Sequence, residues 1–141
     1  MVIGLLGILL ILAVPIWRGA IRERRVVKAA EEIAGVLRFA QQAAVADADR
    51  SCGYQVEVST SHAVVRPIPR VADSSCGAPA ASVRRTDDYP GGVAVVPTTV
   101  NFTSAGGTTS GSVAISVSAG DRIRYVHVHA ITGRVEVSPT P

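Results

Sequence analysis

Large aromatic side chains are nearly missing from this 141-residue chain, which holds two Phe, three Tyr and one Trp. A core must therefore be assembled from Val, Ile and Ala. Cysteine is also scarce. Cys52 and Cys76 are the two present, and neither belongs to a C-x-x-C pair, which excludes zinc-ribbon and thioredoxin-type chemistry. No nucleophile elbow, P-loop, H-E-x-x-H or glycine-rich dinucleotide turn occurs, and no internal repeat is visible. The expectation is a protein that is not an enzyme and uses neither a metal nor another cofactor.

The few groups that could carry chemistry fit simpler roles. His127 and His129 share a strand face, but no third metal ligand lies near them, and His62 stands alone. Asp87-Asp88 reads as a solvated turn. The Gly-rich "SAGGTTSG" falls between strands with no helix after it, so it lacks the amide cluster of an anion site. Asn101 in "NFT" fits a glycosylation pattern too short to weigh.

Charge is missing from the start of the chain as well. Val2–Trp17 has no charged or strongly polar side chain. Sixteen residues make roughly 24 Å of helix, slightly short of the roughly 30 Å of a bilayer core. A cleavable signal peptide fits poorly: no basic segment precedes the run, and Ala13-Val14-Pro15 makes a poor cleavage site. Arg18, Arg22, Arg24, Arg25 and Lys28 follow at once, against Glu23. From residue 51 on, seven arginines face six acidic residues, a net of +1. The high pI of 9.3 thus arises largely beside the apolar run, which weakens a nucleic-acid reading of the whole domain.

Helical patterning continues past the apolar run to about Asp49. Val26, Ala30, Ile33, Leu37, Ala40 and Ala44 recur at spacings of four and three and form a narrow apolar stripe. Val26, Ile33 and Leu37 are the expected points of packing on a sheet. Pro15 should kink the helix or free a carbonyl, and Gly53 is a plausible stop. From Tyr54 the pattern changes to period two. Strands are expected at 54–58, 63–67, 93–97, 100–103, 112–118, 122–129 and 133–137, with 67–92 irregular. The parts are then 1–17, an apolar half-helix; 18–50, an amphipathic half-helix; and 51–141, an antiparallel β domain. Outside the cytoplasm Cys52 and Cys76 would pair, and closing that loop stabilises by about 3 kcal/mol.

"GILLILAVP" at Gly7–Pro15 resembles the hydrophobic helix of type IV pilins and type II secretion pseudopilins. The second half resembles the pseudopilin H (GspH/FimT-like) minor pilin group. It has Val100, Phe102 and Gly106 in an I-x-F-x-x-x-G arrangement, then a terminal Gly133-Arg134-Val135-Glu136-Val137. The resemblance implies an α+β, pilin-like fold: a long N-terminal helix on a small antiparallel β-sheet or β-sandwich. It also implies inner-membrane insertion with the β domain in the periplasm, which overrules the orientation the Arg cluster would give. Other pilins or pseudopilins, an assembly platform and membrane lipid would be the partners. Gly7, Leu10, Val14 and Pro15 would serve helix assembly. The processed leader and the acidic residue that begin such helices do not appear. Alignment on Pro15 puts Met1 about seven residues inside the usual mature helix, and restoring those residues gives a span of bilayer length. A start upstream of Met1 is therefore expected.

Two rival readings remain. DNA-binding minor pilins of this group carry G-R-x-R near the C-terminus; here Glu136 replaces the second Arg. Arg122, Arg124 and Arg134 could still form a DNA patch if their strands are neighbours. The other rival is an unrelated single-pass anchored β domain.

Overall fold

The computed structural model describes residues 2–47, 52–69 and 84–140. One helix, α1 (Val2–Ala46), runs through Pro15 and is followed by eight strands. These are β1 (Cys52–Val58), β2 (Ala63–Pro69), β3 (Arg84–Arg85), β4 (Ala94–Val95), β5 (Thr98–Phe102), β6 (Val113–Ala119), β7 (Arg122–Val128) and β8 (Val135–Ser138). They form two four-stranded antiparallel sheets, ordered β3-β2-β1-β5 and β4-β6-β7-β8. The α+β, pilin-like expectation holds.

Both sheets lean on one helix. α1 touches β1, β2 and β5 of the first sheet and β6, β7 and β8 of the second. Alternation places Val56, Val65, Val100 and Phe102 inward on the first sheet, and Ile115, Val117, Val126 and Val128 inward on the second. They join Val26, Ile33 and Leu37 of α1, all fully buried, in a single core. The buried helix face also takes in Ala29, Ala34 and Val36. At 100° per residue, these positions sweep about 160° of the helix circumference, wider than the stripe read from sequence. Contact with two sheets rather than one explains the added width. Ala at 29, 30, 34, 40 and 44 keeps the helix close to the strands.

Other boundaries depart from expectation. The last helical turn closes with Asp47 N donating to Ala43 O at 2.9 Å. Gly53 does not stop the helix; it lies in β1 opposite Ile68. Asp47 is held instead by the Tyr54 hydroxyl, which donates to its carboxylate at 2.5 Å. "VAVVP" is not one strand. Val95 is buried in the second sheet and Val96 is exposed, and by Thr98 the chain has joined the first sheet. Pro97, which has no amide hydrogen, sits at that crossing. β3 pairs with β2 at the edge of the first sheet, inside the segment read as irregular.

Replacing Leu37 with Ala should cost about 2–5 kcal/mol, because its cavity would open between helix and sheets. Arg24→Ala, on the outer helix face, should stay within about 0.5 kcal/mol. Urea unfolding of the full chain in detergent, followed by circular dichroism, measures both.

Candidate functional site

Polar contacts tie α1 to the second sheet at two levels. At the lower level Glu23 accepts from Arg124 Nε at 3.1 Å and from its Nη2 as well. The two side chains are only 33% and 29% exposed, so the pair is partly shielded from screening. One turn residue away, Arg22 Nη1 lies 3.7 Å from Asp121 Oδ1. The β6–β7 turn, Gly120-Asp121, is thereby held against the helix. Gly120 has φ +64°, and a Cβ there would meet Arg22 Nη1 at 3.1 Å. Around the helix, Arg25 Nη1 donates to Gly91 O at 3.1 Å.

At the upper level one amide joins two loops. Gln41 Nε2 donates to Thr132 O at 2.7 Å and to Gly106 O at 3.3 Å. The loops also bond to one another, with Thr108 N donating to Ala130 O at 2.8 Å. Gly133 has φ +62°, and a Cβ built there would fall 1.9 Å from Gly106 O. Only glycine fits. Gly106 and Gly133, read from the sequence as members of two separate motifs, are thus two sides of one clasp around Gln41. Gln41 itself gave no sequence signal, since one Gln on a polar helix face looks solvated.

Along the first sheet's edge a groove of about 480 Å³ is lined by Lys28, Glu31, Glu32, Gly35 and Arg84–Asp87. Most of its charges are matched nearby. Lys28 meets Glu32 at 3.7 Å, Glu31 meets Arg38 at 3.9 Å, and Arg85 meets Asp88 at 3.5 Å. The Arg84 guanidinium lies 5.1 Å over the Phe39 ring. Tyr89 Oη is buried without a well-formed hydrogen bond; the neighbouring Thr86 hydroxyl already accepts from Ala63 N. Burial first, and then the Glu32 carboxylate, push the Tyr89 ionisation well above the usual tyrosine value, against a smaller opposing pull from Thr86.

The remaining residues singled out in the sequence are dispersed. Arg122 stands exposed at the β6–β7 turn, 3.7 Å from Asp121, and Arg124 faces the helix. Arg134 lies at the far end of β7, where its carbonyl accepts from His129 N. Five residues of strand, roughly 17 Å, separate that level from Arg124, and Arg134 approaches Glu136 at 3.8 Å. The three arginines do not converge on one patch. His127 Nε2 contacts Ser138 Oγ and Thr140 O, and His129 Nε2 lies 3.9 Å from Glu136. Among the described residues no three metal-ligating side chains cluster. The side chains of Gly7, Leu10, Val14 and Pro15 lie outside the described residues, as do Cys76 and the Cys52 side chain, so the disulfide does too. Among the described residues no helix is long and apolar enough to cross a membrane.

A family model described as type II transport protein GspH matches residues 29–133. That span starts at a buried Ala of the helix seam and ends on the clasp glycine. The chain belongs to the GspH family. No curated protein and no solved structure matches it. Within this GspH-family chain, the motif glycines keep the domain's distal loops on the helix, and the lower ion pairs hold its opposite end.

Two predictions follow from this geometry. Gly111 also has positive φ, but nothing lies within 4 Å of a Cβ there. Gly111→Ala should cost about 1–2 kcal/mol, the left-handed backbone penalty alone. Gly133→Ala should cost clearly more, because the clasp must open; equal losses in thermal unfolding would refute the steric argument. Tyr89→Phe should leave stability within about 0.5 kcal/mol at pH 7, since no good hydrogen bond is lost. With Tyr present, the raised folded-state pKa means its contribution is whole below the unfolded value of about 10 and declines as pH rises beyond it. Denaturation curves from pH 9 to 11 should show a steeper fall for the native chain than for Tyr89→Phe.

Proposed function

We propose that this protein is a minor pseudopilin, a structural and non-catalytic subunit of the type II secretion pseudopilus or a related type IV pilus. It would be held in the inner membrane by the apolar half of α1, with its β domain in the periplasm. Membership of the GspH family gives the general role. The observation that carries the assembly reading is the division of α1 into two faces. One is buried in the β domain. The other leaves Trp17 75% and Ile21 44% exposed, around a small hollow with Ala20 and Arg24. An exposed Trp one helical turn from an exposed Ile, at the end of an uncharged run, fits packing against other pilin helices and lipid. In this reading Gly7, Leu10, Val14 and Pro15 serve helix assembly within the membrane, and the inner-membrane assembly platform is a further partner. In the oxidising periplasm Cys52 and Cys76 form a disulfide.

The DNA-binding reading is the weaker one. Arg122, Arg124 and Arg134 each lie beside a carboxylate and do not cluster, whereas phosphate tracking needs several free cations together. Deleting the gene in its host separates the two. Secretion into the medium should fall while DNA uptake is unchanged, and Ile21→Glu should fail to restore secretion although the β domain still folds. Normal secretion with lost DNA uptake would transfer the protein to the second reading.

A further inference from the structure

The Arg-rich turn of α1 and the β6–β7 turn lie at one level of the molecule, although about a hundred residues separate them in sequence. Arg22 meets Asp121 at 3.7 Å and rests against Gly120, and Glu23 is clasped by Arg124. Beyond the turn's own pairings, Ile123 remains 46% exposed on the outer side of β7. Its inward neighbours on that strand, Arg124 and Val126, face the helix and the core. Asp121 has Arg22 and Arg122 each at 3.7 Å, so the tip presents no uncompensated negative charge.

We infer that the β6–β7 turn is a foot that seats the β domain in the headgroup layer of an anionic bilayer, with Ile123 entering the interface and Arg122 meeting lipid phosphate. This rests on the reading of α1 as a membrane helix. The distances argue for it. With Trp17 at the edge of the hydrocarbon, as its place after an uncharged run requires, Arg22 lies about 8 Å further along the helix. The headgroup layer is roughly 5–8 Å deep on each side. The turn held at Arg22 therefore reaches that layer. Charge complements it. Glu23 is occupied by Arg124, and Asp121 is shared by Arg22 and Arg122, so the tip is net positive and Arg24 stands exposed close by on the helix. Position around the helix gives the foot a purpose. Trp17 and Val26 are nine residues apart, about 180° at 100° per residue. Trp17 thus anchors one side of the helix and the foot touches down on the other. Two contacts on opposite sides fix the tilt of the β domain over the membrane, which a single flexible anchor cannot do.

Trp17 is the sole Trp, so emission can be read from one site at a time. The full chain would be placed in phosphatidylcholine vesicles with and without phosphatidylglycerol, as the native protein and as Trp17→Phe/Ile123→Trp. Ile123 is exposed, so that exchange leaves the core intact, and circular dichroism would verify it. In anionic vesicles the Trp at 123 should be quenched by headgroup spin-labelled lipid. Acrylamide should quench it at least about threefold less than in detergent, with weaker protection in neutral vesicles. Equal acrylamide quenching at 123 in vesicles and detergent, with Trp17 itself shielded, overturns the foot while leaving the anchor. Equal protection in neutral and anionic vesicles overturns its electrostatic part. An unshielded Trp17 overturns the anchor reading, and the foot with it.

Discussion

Everything in the domain depends on one face of one helix being apolar enough for two sheets. Each sheet has strands of only two to seven residues and few aromatics, too little to form a core by itself. The aliphatic side chains of Val26, Ile33, Val36 and Leu37 supply the missing layer, and the alanines between them let both sheets approach. This makes the helix a core element and a connector together. The half that fills the domain is continuous with the half that leaves it, joined through Gly19 within the helix and with no intervening loop, so a force on the apolar end passes to the seam along one helix.

Such a seam needs fixing at its ends, because apolar contact is non-directional and permits sliding. Directional contacts are placed where sliding would begin. The Glu23–Arg124 pair and the Arg22–Asp121 contact hold one end; the Gln41 clasp holds the other. The exposed Arg22–Asp121 contact contributes about 0–1 kcal/mol, and a neutral hydrogen bond such as those of the Gln41 amide about 0.5–1.5 kcal/mol. Their value is register: a helix moved by one residue in either direction would bring Arg22 or Arg24 to Arg124 in place of Glu23.

How much of this was legible beforehand follows from the range of the interactions involved. Val26, Ala30, Ile33 and Leu37 show their pattern within a few turns, and the turns at Gly120 and Gly133 announce the hairpins, because such signals are local. The wider helix face was not legible. Ala29 and Ala34, on opposite edges of the face, look neutral until the helix is known to pack on two sheets. Nor was the division of "VAVVP" between sheets, since alternation reports which way a residue points and not which sheet it joins. Gln41 and Glu23 were missed for a related reason. Each is an ordinary polar residue on a helix, and its partner is some sixty to a hundred residues away.

The motif glycines join these two kinds of information. In the sequence, Gly106 and Gly133 are marks of resemblance without a mechanism. In the fold, the absence of a side chain at Gly133 is what allows the Gly106 carbonyl to approach, and that carbonyl then accepts from Gln41. A loop carrying any Cβ at 133 must stand away from the helix, and Thr132 O would then lose Gln41 too. The glycine therefore acts on the helix at one remove. A family signature at the C-terminal end of the chain is, physically, a requirement for holding the helix in register.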